Sequence, residues 1–472
     1  MRARAGRCGR RTTALAAAAL VTAGLLAACG SGGSSATSAS SGPTTSPPTS
    51  PGTSSTGSSA PPQLPPEKLT FGVIGSLAEI DHYKTMAETY APLTRKVTVK
   101  VESWPNDAAM LDGFRHGDPV PDVFIADRHH LTYLDQHDLV QPVDQLLDDR
   151  GFDFGDEYPR ASLTAFGSDN RLQCLPYGVS PSVVYYNKRL VRFGRIRNDP
   201  PTAGQGWSLD QFAAAGRWAT EHHPGVAGIY LDPSLTGVAP FVYSGGGDLF
   251  DDDSLPTSLA LSTDANVQSL ARTVRALRAP GTTLTPAQLE RHTPAEWFAR
   301  GKLALLEGTR RMVPDLRAAP GLDFDVMPMP SLGTPATVGG LTGLCLSRHA
   351  RDVGTAADFL IYASSPGALA LVSYGGYLQP ADQTVALSDA FQQPGQLPEH
   401  ASVFTFSVKS MVYPPAIGSW DDLELAVDPV LQRLLEVRPG GVQRVARDAD
   451  RASYRVLGPR LGPTAAPSQS GG

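Results

Sequence analysis

The fold is decided by residues 69–74, Leu-Thr-Phe-Gly-Val-Ile, and by two similar apolar segments that follow them. All three are predicted to be strands, and segments of helical period alternate with them. The later strands are Val97–Val101 and Pro121–Ala126, and the helices are Asp81–Tyr90, Asp107–Phe114 and Leu131–His137. This order predicts a mainly parallel sheet with right-handed crossovers. Ligands bind beyond the carboxyl ends of such strands, which here are residues 75–80, 103–106 and 127–130.

The rest of the chain continues with a second set of strands and helices. A capping box at Ser208-Leu-Asp-Gln211 predicts a helix start, because its Ser hydroxyl and Gln amide satisfy free backbone donors. The other predicted elements are strands at Val183–Tyr186, Gly301–Leu306 and Leu341–Leu346, and helices at Val267–Leu277 and Val353–Ala363. The span from Glu67 to Leu461 is long enough for two domains.

Residues 1–28 are predicted to be a secretory signal peptide. Five arginines precede residue 12, and the apolar stretch Ala14–Ala28 is short for a membrane span. Leu26-Ala-Ala-Cys29 resembles a bacterial lipobox, which implies cleavage before Cys29 and a diacylglycerol on its thiol. The alternatives are an ordinary signal followed by an unrelated cysteine, and a twin-arginine signal at Arg10-Arg11.

The two ends of the mature chain are predicted to remain unfolded. Residues 29–66 would be the lipidated cysteine and a Ser/Thr/Pro/Gly-rich linker of roughly 35 Å, and residues 462–472 a disordered tail. The net charge of −6, with acids and bases interspersed, excludes a nucleic-acid surface, which needs a basic stripe. No second apolar run approaches membrane length, so the lipid alone is expected to hold the protein at the membrane.

Two cysteines remain in the folded part, Cys174 and Cys345. An isolated pair in an oxidising compartment predicts one disulfide. Two separate buried thiols are the alternative.

Several motifs, taken in order, resemble one protein family. They are Asp122-Val-Phe-Ile-Ala-Asp127, Leu139-Val-Gln-Pro-Val143, Leu175-Pro-Tyr-Gly178, Val184-Tyr-Tyr-Asn-Lys188, Gly206-Trp-Ser208, Trp297-Phe-Ala-Arg-Gly-Lys-Leu-Ala-Leu305 and Gly339-Gly340. The family is the extracellular solute-binding proteins of the sugar-binding type (family 1), which serve ABC importers. The ordered set covers nearly the whole folded part.

The resemblance implies an α/β, periplasmic-binding-protein-like fold of two lobes, each a mixed sheet flanked by helices. Lobe I would comprise residues 67–176 and 332–378, and lobe II residues 177–331 and 379–461. Hinge crossings are expected near Leu175–Gly178, Met327–Leu332 and Tyr377–Pro380, where Gly and Pro suit a change of backbone conformation. Cys174 and Cys345 would both lie in lobe I.

The resemblance also implies a function. The protein would capture a small ligand, a sugar or oligosaccharide, by hinge closure and deliver it to an ABC permease in the membrane. It would be a monomer without cofactor, metal or catalytic residues, held by its lipid at the extracytoplasmic face of the cell membrane.

Sugars are held by aromatic stacking and by planar hydrogen-bonding groups, so ligand contacts are expected from aromatic and polar residues facing the cleft. The expected residues are Asp127, Arg128, Trp104, Tyr177, Tyr243, Arg310, Gly340 and Trp420. Asp127 and Arg128 follow the third strand, where the family places polar contacts, and Trp420 lies where it often places a stacking Trp. The structural alternatives are a surface ion pair for Asp127 and Arg128 and lobe packing for Trp104.

One departure from the family bears on the ligand. Where the family usually has Gly-x-Trp, this chain has Gly308-Thr-Arg310. A guanidinium is a rigid donor fork suited to carboxylate or phosphate, so an anionic or phosphorylated solute is an alternative to a neutral sugar. The structural alternative is an ion pair of Arg310 with Asp315 or Asp323.

Other functions leave weaker signals. Paired tyrosines such as Tyr185-Tyr186 hold iron in ferric-binding relatives, but adjacent side chains of a strand face opposite sides. Zinc would need tighter spacing than that of His82, His116, His129, His130 and His137. The sequence has no nucleophile elbow, zinc-protease motif, phosphate loop or dinucleotide fingerprint. A secreted hydrolase with paired carboxylates, as in Asp251–Asp253, and a solute-binding fold used as a sensor or scaffold are the remaining alternatives.

Overall fold

The computed structural model describes residues 67–94, 97–195, 201–278 and 281–458. The predicted signal peptide, Cys29, the linker and the tail lie outside the described residues. The strands are β1 (Glu67–Ile74), β2 (Val97–Trp104), β3 (Val123–Asp127), β4 (Val140–Gln141), β5 (Gly167–Ser168), β6 (Arg171–Leu172), β7 (Cys174–Pro181), β8 (Val183–Asn187), β9 (Ala227–Tyr230), β10 (Leu303–Gly308), β11 (Phe324–Pro328) and β12 (Gly339–Ser347).

Helices surround these strands. They are α1 (Leu77–Thr94), α2 (Asp107–Arg115), α3 (Leu131–Gln136), α4 (Asp144–Asp148), α5 (Arg160–Ala165), α6 (Leu209–His222), α7 (Leu235–Ser244), α8 (Asp264–Leu277), α9 (Pro286–Leu289), α10 (Pro294–Ala299), α11 (Val313–Ala318), α12 (Val353–Ser364), α13 (Pro366–Ser373), α14 (Gln383–Ala386), α15 (Asp389–Gln392), α16 (Ser402–Ser407), α17 (Trp420–Leu431) and α18 (Val442–Leu457).

The first sheet, with the helices packed on it, forms lobe I. Its strand order is β2-β1-β3-β12-β4, and β7 pairs with β12. The β1 pairings with β2 and β3 are parallel, as the alternation of strand and helix predicts, whereas β12 runs antiparallel to β3, β4 and β7. The sheet is therefore mixed because a distant part of the chain returns into it.

Both faces of this sheet are buried, which explains its apolar strands. Along β3, Val123 and Ile125 face a core shared with α1, α12 and α13, whereas Phe124 and Ala126 face a core shared with α2 and α3. Alternate side chains of a strand point to opposite faces, so helices must cover both sides. Only the ends of the strands therefore remain open to solvent.

The second sheet forms the centre of lobe II. Its order is β11-β8-β10-β9, in which β8 runs antiparallel to β10 and β11, and β10 runs parallel to β9. The capping box at Ser208 and Gln211 is present and begins α6, as predicted. Helix α6 packs closely on β9, because a Cβ at Gly228 would lie 2.3 Å from the carbonyl oxygen of Gly216. Helices α7, α8, α17 and α18 pack together as a separate cluster in this lobe.

The chain passes between the lobes later than predicted. Strand β7 stays paired in the first sheet up to Pro181, and β8 begins in the second sheet at Val183. The expected boundary after residue 176 is therefore wrong, because hydrogen bonding to β12 holds the strand in lobe I for five further residues. The return crossing lies between Pro328 and Gly339 rather than at residues 327–332. The Tyr377–Pro380 segment remains hydrogen-bonded to β7, through Val179 and Gln379, instead of crossing.

Three segments lie side by side at the junction of the lobes. The buried Thr337 donates through its hydroxyl to the carbonyl of Ser182 (2.7 Å) and through its backbone N–H to the carbonyl of Ser410 (3.0 Å). The N–H of Val412 donates back to the carbonyl of Thr337 (2.8 Å). We call this short hydrogen-bonded ribbon, which joins the lobes outside the strands of both sheets, the hinge region.

The predicted disulfide between Cys174 and Cys345 is present. The two residues are directly opposite each other in the β7–β12 pairing, so the bond joins neighbouring strands within lobe I. It therefore does not tie one lobe to the other.

Among the described residues, no single helix is long and apolar enough to cross a membrane. Helices α12 and α13 reach that length together, but the chain bends by 62° between them. Their apolar side chains pack in the core of lobe I.

We predict that replacing both Cys174 and Cys345 with Ala lowers the free energy of unfolding by about 2–5 kcal/mol, because the unfolded chain is no longer cross-linked. Urea unfolding followed by Trp fluorescence measures this. Reductant should lower the midpoint of the native protein and leave that of the double variant unchanged. Equal midpoints for the oxidised native protein and the variant would contradict the prediction.

Candidate ligand-binding cleft

Two adjoining cavities separate the lobes. The first, of about 320 Å³, lies between the ends of β2 and β3 in lobe I and helices α7 and α17 in lobe II. The second, of about 250 Å³, lies between lobe I and the turn that follows β10. Asp107, Asp127 and Gly340 line both cavities, so the two meet along one cleft. A cavity of roughly 300 Å³ or more is of the size that takes small ligands.

The strand ends of lobe I supply a polar wall. Asn106 caps α2, accepting a hydrogen bond from the N–H of Ala109 (2.9 Å), and so places Asp107 at the cleft. Asp127 ends β3 and accepts a hydrogen bond from the N–H of His129 (2.9 Å). The N–H of Asp127 in turn donates to Oδ1 of Asp107 (3.1 Å), which holds the two carboxyl groups close together.

These two carboxyl groups have pKa values that shift in opposite directions. Burial and the charge of Asp127 raise the pKa of Asp107 above its ordinary value. Burial alone would also raise the pKa of Asp127, but the rings of His129 and His130 outweigh it and hold that pKa below its ordinary value. Asp127 therefore stays charged, and Asp107 is protonated first as the pH falls.

His129 and His130 connect lobe I to α17 of lobe II. The ring of His129 stacks on Trp420 with centroids 4.0 Å apart and planes 12° apart. Nε2 of His130 lies 3.1 Å from Oδ1 of Asp421. Burial lowers the pKa of His130, but the carboxylates of Asp421 and Asp107 outweigh burial and raise it overall. Stacking and charge thus join the lobes at this end of the cleft.

An ion pair joins the lobes at the other end. Nη2 of Arg311, in the turn after β10, lies 2.7 Å from Oε2 of Glu79 on α1. Burial raises the pKa of Glu79, and Arg311 offsets this only in part. The lobes are in contact at both ends of the cleft, so the conformation is a closed one.

Two polar groups of the second cavity lack a hydrogen-bond partner among the described residues. They are the hydroxyl of Ser180 and the side-chain amide of Gln379, both atoms of which are unpaired. Gln379 is only 2% exposed. A buried polar group left unpaired costs about 1–3 kcal/mol, so this wall favours a ligand that supplies hydroxyl groups.

Three of the residues predicted from the sequence line the cleft. Asp127 and Gly340 line both cavities, and Trp420 lines the first. His129 covers one face of Trp420, so a ligand ring can stack on that face only after His129 moves. Their roles as ligand contacts stay predictions.

Arg128 and Tyr243 do not line either cavity, which corrects the expectation from the sequence. Nε of Arg128 donates to the carbonyl of Ala165 (3.1 Å), and Nη1 donates to the carbonyl of Pro414. The chain turns into a short 3-10 helix after Asp127, which directs Arg128 into these backbone contacts. Tyr243 packs against the helical cluster of lobe II.

Trp104 and Tyr177 are also packing residues rather than cleft residues. Trp104 packs edge-to-face on Phe114, with ring centroids 5.8 Å apart. Tyr177 is 1% exposed and lies in the lobe I core, 6.5 Å from the ring of Tyr83. Strand alternation places the neighbouring Gly178 on the cavity wall and the Tyr177 ring inside the lobe.

The expectation that Arg310 faces the ligand is wrong. Its side chain is fully buried, donates to the carbonyls of Gly376 (3.0 Å) and Phe391 (3.1 Å), and lies 4.5 Å from the centroid of the Phe391 ring. It does not pair with Asp315 or Asp323. The adjacent Arg311 is the guanidinium at the cleft, because the 3-10 turn after β10 points successive side chains in different directions.

Sequence reasoning missed much of the charged wall. The missed residues are Glu79, Asp107, His129, His130, Arg311, Asp421 and Glu424. Glu79, His129 and His130 lie in segments already predicted to face the cleft, so their position in those segments was the signal that could have identified them. Asp421 and Glu424 share one face of α17 one turn apart, and that spacing beside Trp420 was a usable signal.

The described residues contain one group with the geometry of a metal site: Asp325, Glu399 and His400. Asp325 already bonds Nδ1 of His400 (2.5 Å), and Glu399 is paired with Lys188 (2.7 Å). A resident ammonium group opposes binding of a cation. Tyr185 and Tyr186 face opposite sides of their sheet, as expected, so their hydroxyl groups cannot bind one ion together.

The family model for bacterial extracellular solute-binding proteins matches residues 85–399 of the chain. No curated protein sequence shows significant similarity to it. The matched range includes the strands of both sheets except β1, together with the two crossings between the lobes described above.

Solved structures with the same fold come from several bacteria. An ABC substrate-binding protein of Listeria monocytogenes in complex with cycloalternan is 17% identical, with a TM-score of 0.71 over 83% of this chain and 99% of its own. The GacH receptor of Streptomyces glaucescens, known unliganded and with acarbose, is 19% identical, with a TM-score of 0.69 over 83% of this chain and 98% of its own. The maltotriose-binding protein of Thermus thermophilus is 16% identical, with a TM-score of 0.64 over 83% of this chain and 100% of its own. These likenesses establish the fold.

We predict that Arg310→Met lowers the free energy of unfolding by about 2–4 kcal/mol, because it leaves two buried carbonyl groups without a donor. Arg444→Met, at an exposed position of α18, is the control and should change the free energy of unfolding by about 0.5 kcal/mol or less. Chemical unfolding of both variants measures the difference. Equal losses in the two variants would show that Arg310 does not have this structural role.

The contact between His130 and Asp421 predicts pH-dependent closure. The pKa of His130 is raised in the closed form. The contact therefore stabilises the closed form fully below the ordinary histidine pKa of about 6.5, and this stabilisation is lost as the pH rises through the raised pKa. Asp421 and Asp127 have lowered pKa values and stay charged over this range, while Asp107 has a raised one.

Small-angle scattering of the unliganded protein checks whether closure depends on pH through His130. The radius of gyration should increase between about pH 6 and about pH 8, on either side of the histidine pKa. His130→Gln should reduce this increase, and the part that remains reflects ionisation of Asp107, whose raised pKa of about 6 lies at the lower end of the same range. The same increase in native and variant proteins would rule out His130 as its source.

Proposed function

We propose that this chain, which belongs to the bacterial extracellular solute-binding proteins, captures a saccharide in the cleft between its lobes and delivers it to an ABC permease. The observation that carries the proposal is a cleft lined by both lobes, with strand-end carboxylates on one side and the Trp420 helix on the other. A ligand held there contacts both lobes at once.

Capture would work through a shift between open and closed forms. A ligand favours closure only if it interacts more strongly with the closed form, and contacts from both lobes meet that condition. Bending would occur in the ribbon of Ser182, Thr337 and Ser410, where few hydrogen bonds must change. The closed form would then dock on the permease.

Three features support a saccharide as the ligand. Carboxylates such as Asp107 and Asp127 accept hydrogen bonds from hydroxyl groups, and the unpaired amide of Gln379 both accepts and donates them. Trp420 offers an aromatic surface once His129 moves. The proteins of similar fold were solved with cycloalternan, acarbose or maltotriose.

An anionic or phosphorylated ligand has less support than the sequence indicated. That alternative rested on Arg310, which is buried away from the cleft. The remaining guanidinium, Arg311, is neutralised by Glu79. A phosphate would therefore meet mainly carboxylates.

The proposal includes the cell-surface setting expected from the sequence. The signal peptide of residues 1–28 would be removed and Cys29 lipidated, and residues 30–66 would tether a monomeric binding domain outside the membrane. The partners would be the saccharide, the lipid bilayer and the permease. The protein would bind its ligand without transforming it.

We expect a saccharide at ~100 times its dissociation constant to stabilise the folded domain by roughly 2.7 kcal/mol, which raises its melting temperature by a few degrees. A thermal-shift screen of mono- and oligosaccharides, sugar phosphates and carboxylates measures this. Gly340→Val should abolish the shift, because branched methyl groups would occupy the point where the two cavities meet. A single added Cβ there makes only an ordinary contact, 3.5 Å from Asp127, so the fold should tolerate the change.

Gly204→Val is the control, since its added side chain would enter open space on lobe II. It should retain the ligand-induced shift. No shift with any saccharide, in folded protein free of co-purified ligand, would contradict saccharide capture and favour a sensor or scaffold.

A further inference from the structure

The charge of the cleft wall specifies the ligand further. We propose that the saccharide bound in the first cavity carries a protonated amine, placed between carboxylates of the two lobes. This inference rests on the proposed function, because it concerns the ligand of the same cleft.

Carboxylates outnumber cationic groups along the cleft. Its acidic residues are Glu79, Asp107, Asp127, Asp421 and Glu424, against one guanidinium and two imidazoles. The guanidinium, that of Arg311, lies at the second cavity and is engaged by Glu79. The wall of the first cavity has no lysine or arginine, so the cleft is net negative even with both imidazoles protonated.

Two of these carboxylates face the first cavity from opposite lobes without a close cationic partner. The nearest cationic atom to Asp107 is Nδ1 of His130, 3.9 Å away. Glu424 accepts a hydrogen bond from the hydroxyl of Thr236 (3.2 Å) and forms no ion pair within the described part of the chain. An ammonium group between Asp107 and Glu424 would supply the missing charge to both lobes.

His130 is a second, independent indication of a polar ligand. It is 9% exposed and lines the first cavity, but its Nδ1 has no hydrogen-bond partner among the described residues. When the ring is neutral and donates through Nε2 to Asp421, Nδ1 carries a lone pair that accepts an N–H or O–H, and when the ring is protonated, Nδ1–H donates to a ligand oxygen. The same surroundings raise the pKa of His130 despite burial, so this wall stabilises positive charge.

Closure gives the amine its advantage over a neutral group. Bringing the lobes together moves Asp421 and Glu424 towards Asp107 and Asp127 and removes the water that screens them. This repulsion raises the free energy of the closed form. A cation between the carboxylates cancels the repulsion only when both lobes surround it, so it favours closure more than a neutral hydroxyl does.

Matched sugars test the inference. The probes are glucosamine, galactosamine and mannosamine, each compared with its N-acetylated form and with the parent hexose. Binding is measured by calorimetry and thermal shift on the protein that starts after Cys29. The three forms share a ring and differ in one charge. We expect an amine form to bind at least about tenfold more tightly than its two neutral counterparts. Added salt should reduce that preference, because it screens partly exposed charges.

Variants locate the effect. Glu424→Gln and Asp107→Asn remove one charge each, from different lobes, with little change of shape. Each should reduce the ratio of amine affinity to neutral affinity by about tenfold, even where loss of a hydroxyl contact weakens binding of all three forms. Glu88→Gln, on the exposed side of α1, is the control and should keep the full preference.

The outcomes separate the inference from the proposed function. Binding of neutral sugars with no preference for the amine overturns the inference and leaves saccharide capture standing. An amine preference that both cleft variants retain also overturns it, since the charge would then be recognised elsewhere. Failure of every form to bind overturns the inference, and it overturns saccharide capture as well only if no mono- or oligosaccharide gives a thermal shift. A preference that is lost in either cleft variant and kept in Glu88→Gln establishes it.

Discussion

The antiparallel pairing of β7 with β12 is the constraint on which the rest of the molecule depends. Strand β12 lies inside the sheet of lobe I and β7 pairs with it; Cys174 and Cys345 join the two covalently, and both lead directly into the hinge at Pro181 and Gly339. A Cβ at Gly339 would lie 2.0 Å from the carbonyl oxygen of Ser180, so the strands approach more closely there than any other residue allows. One rigid pair of strands therefore positions the core, the hinge and the cavity wall at Gly340.

The hinge region and the lobes differ in how they are held together. Each lobe has a sheet covered by helices on both faces, so deforming it would disturb a close-packed core. At the junction, by contrast, a few backbone bonds around Thr337 join the segments. We therefore expect any movement between the lobes to occur in this ribbon, where fewer hydrogen bonds must change.

The cleft combines contacts that close it with charges that oppose closure. The stacking of His129 on Trp420 and the pairs His130–Asp421 and Arg311–Glu79 hold the lobes together. The excess of carboxylates pushes them apart. Marginal closure of this kind suits a binding protein, because a ligand can shift the balance only where the two forms have similar free energies.

Local pattern was enough to predict the strands and helices of the first hundred folded residues, because hydrophobic period and strand length are local properties. The disulfide and the cleft position of Asp127 and Gly340 were also predictable, since strand ends of an α/β sheet share one edge. Aromatic residues were a poor guide. Tyr177 is fully buried in the core and Trp104 packs against it partly buried, because burying large apolar rings lowers the free energy of the folded state.

By itself the sequence determined the fold class, the two-lobe organisation and the edge of the sheet at which the cleft lies. Only the tertiary structure decided which side chains reach that edge. Arg310 and Arg311 are neighbours with the same chemistry, yet one is buried among carbonyl groups and the other lines the cleft. Glu424 faces Asp107 across the cavity although more than three hundred residues separate them. Local pattern cannot distinguish such cases, because the direction of a side chain in a turn and the distance between two lobes both depend on packing of the whole chain.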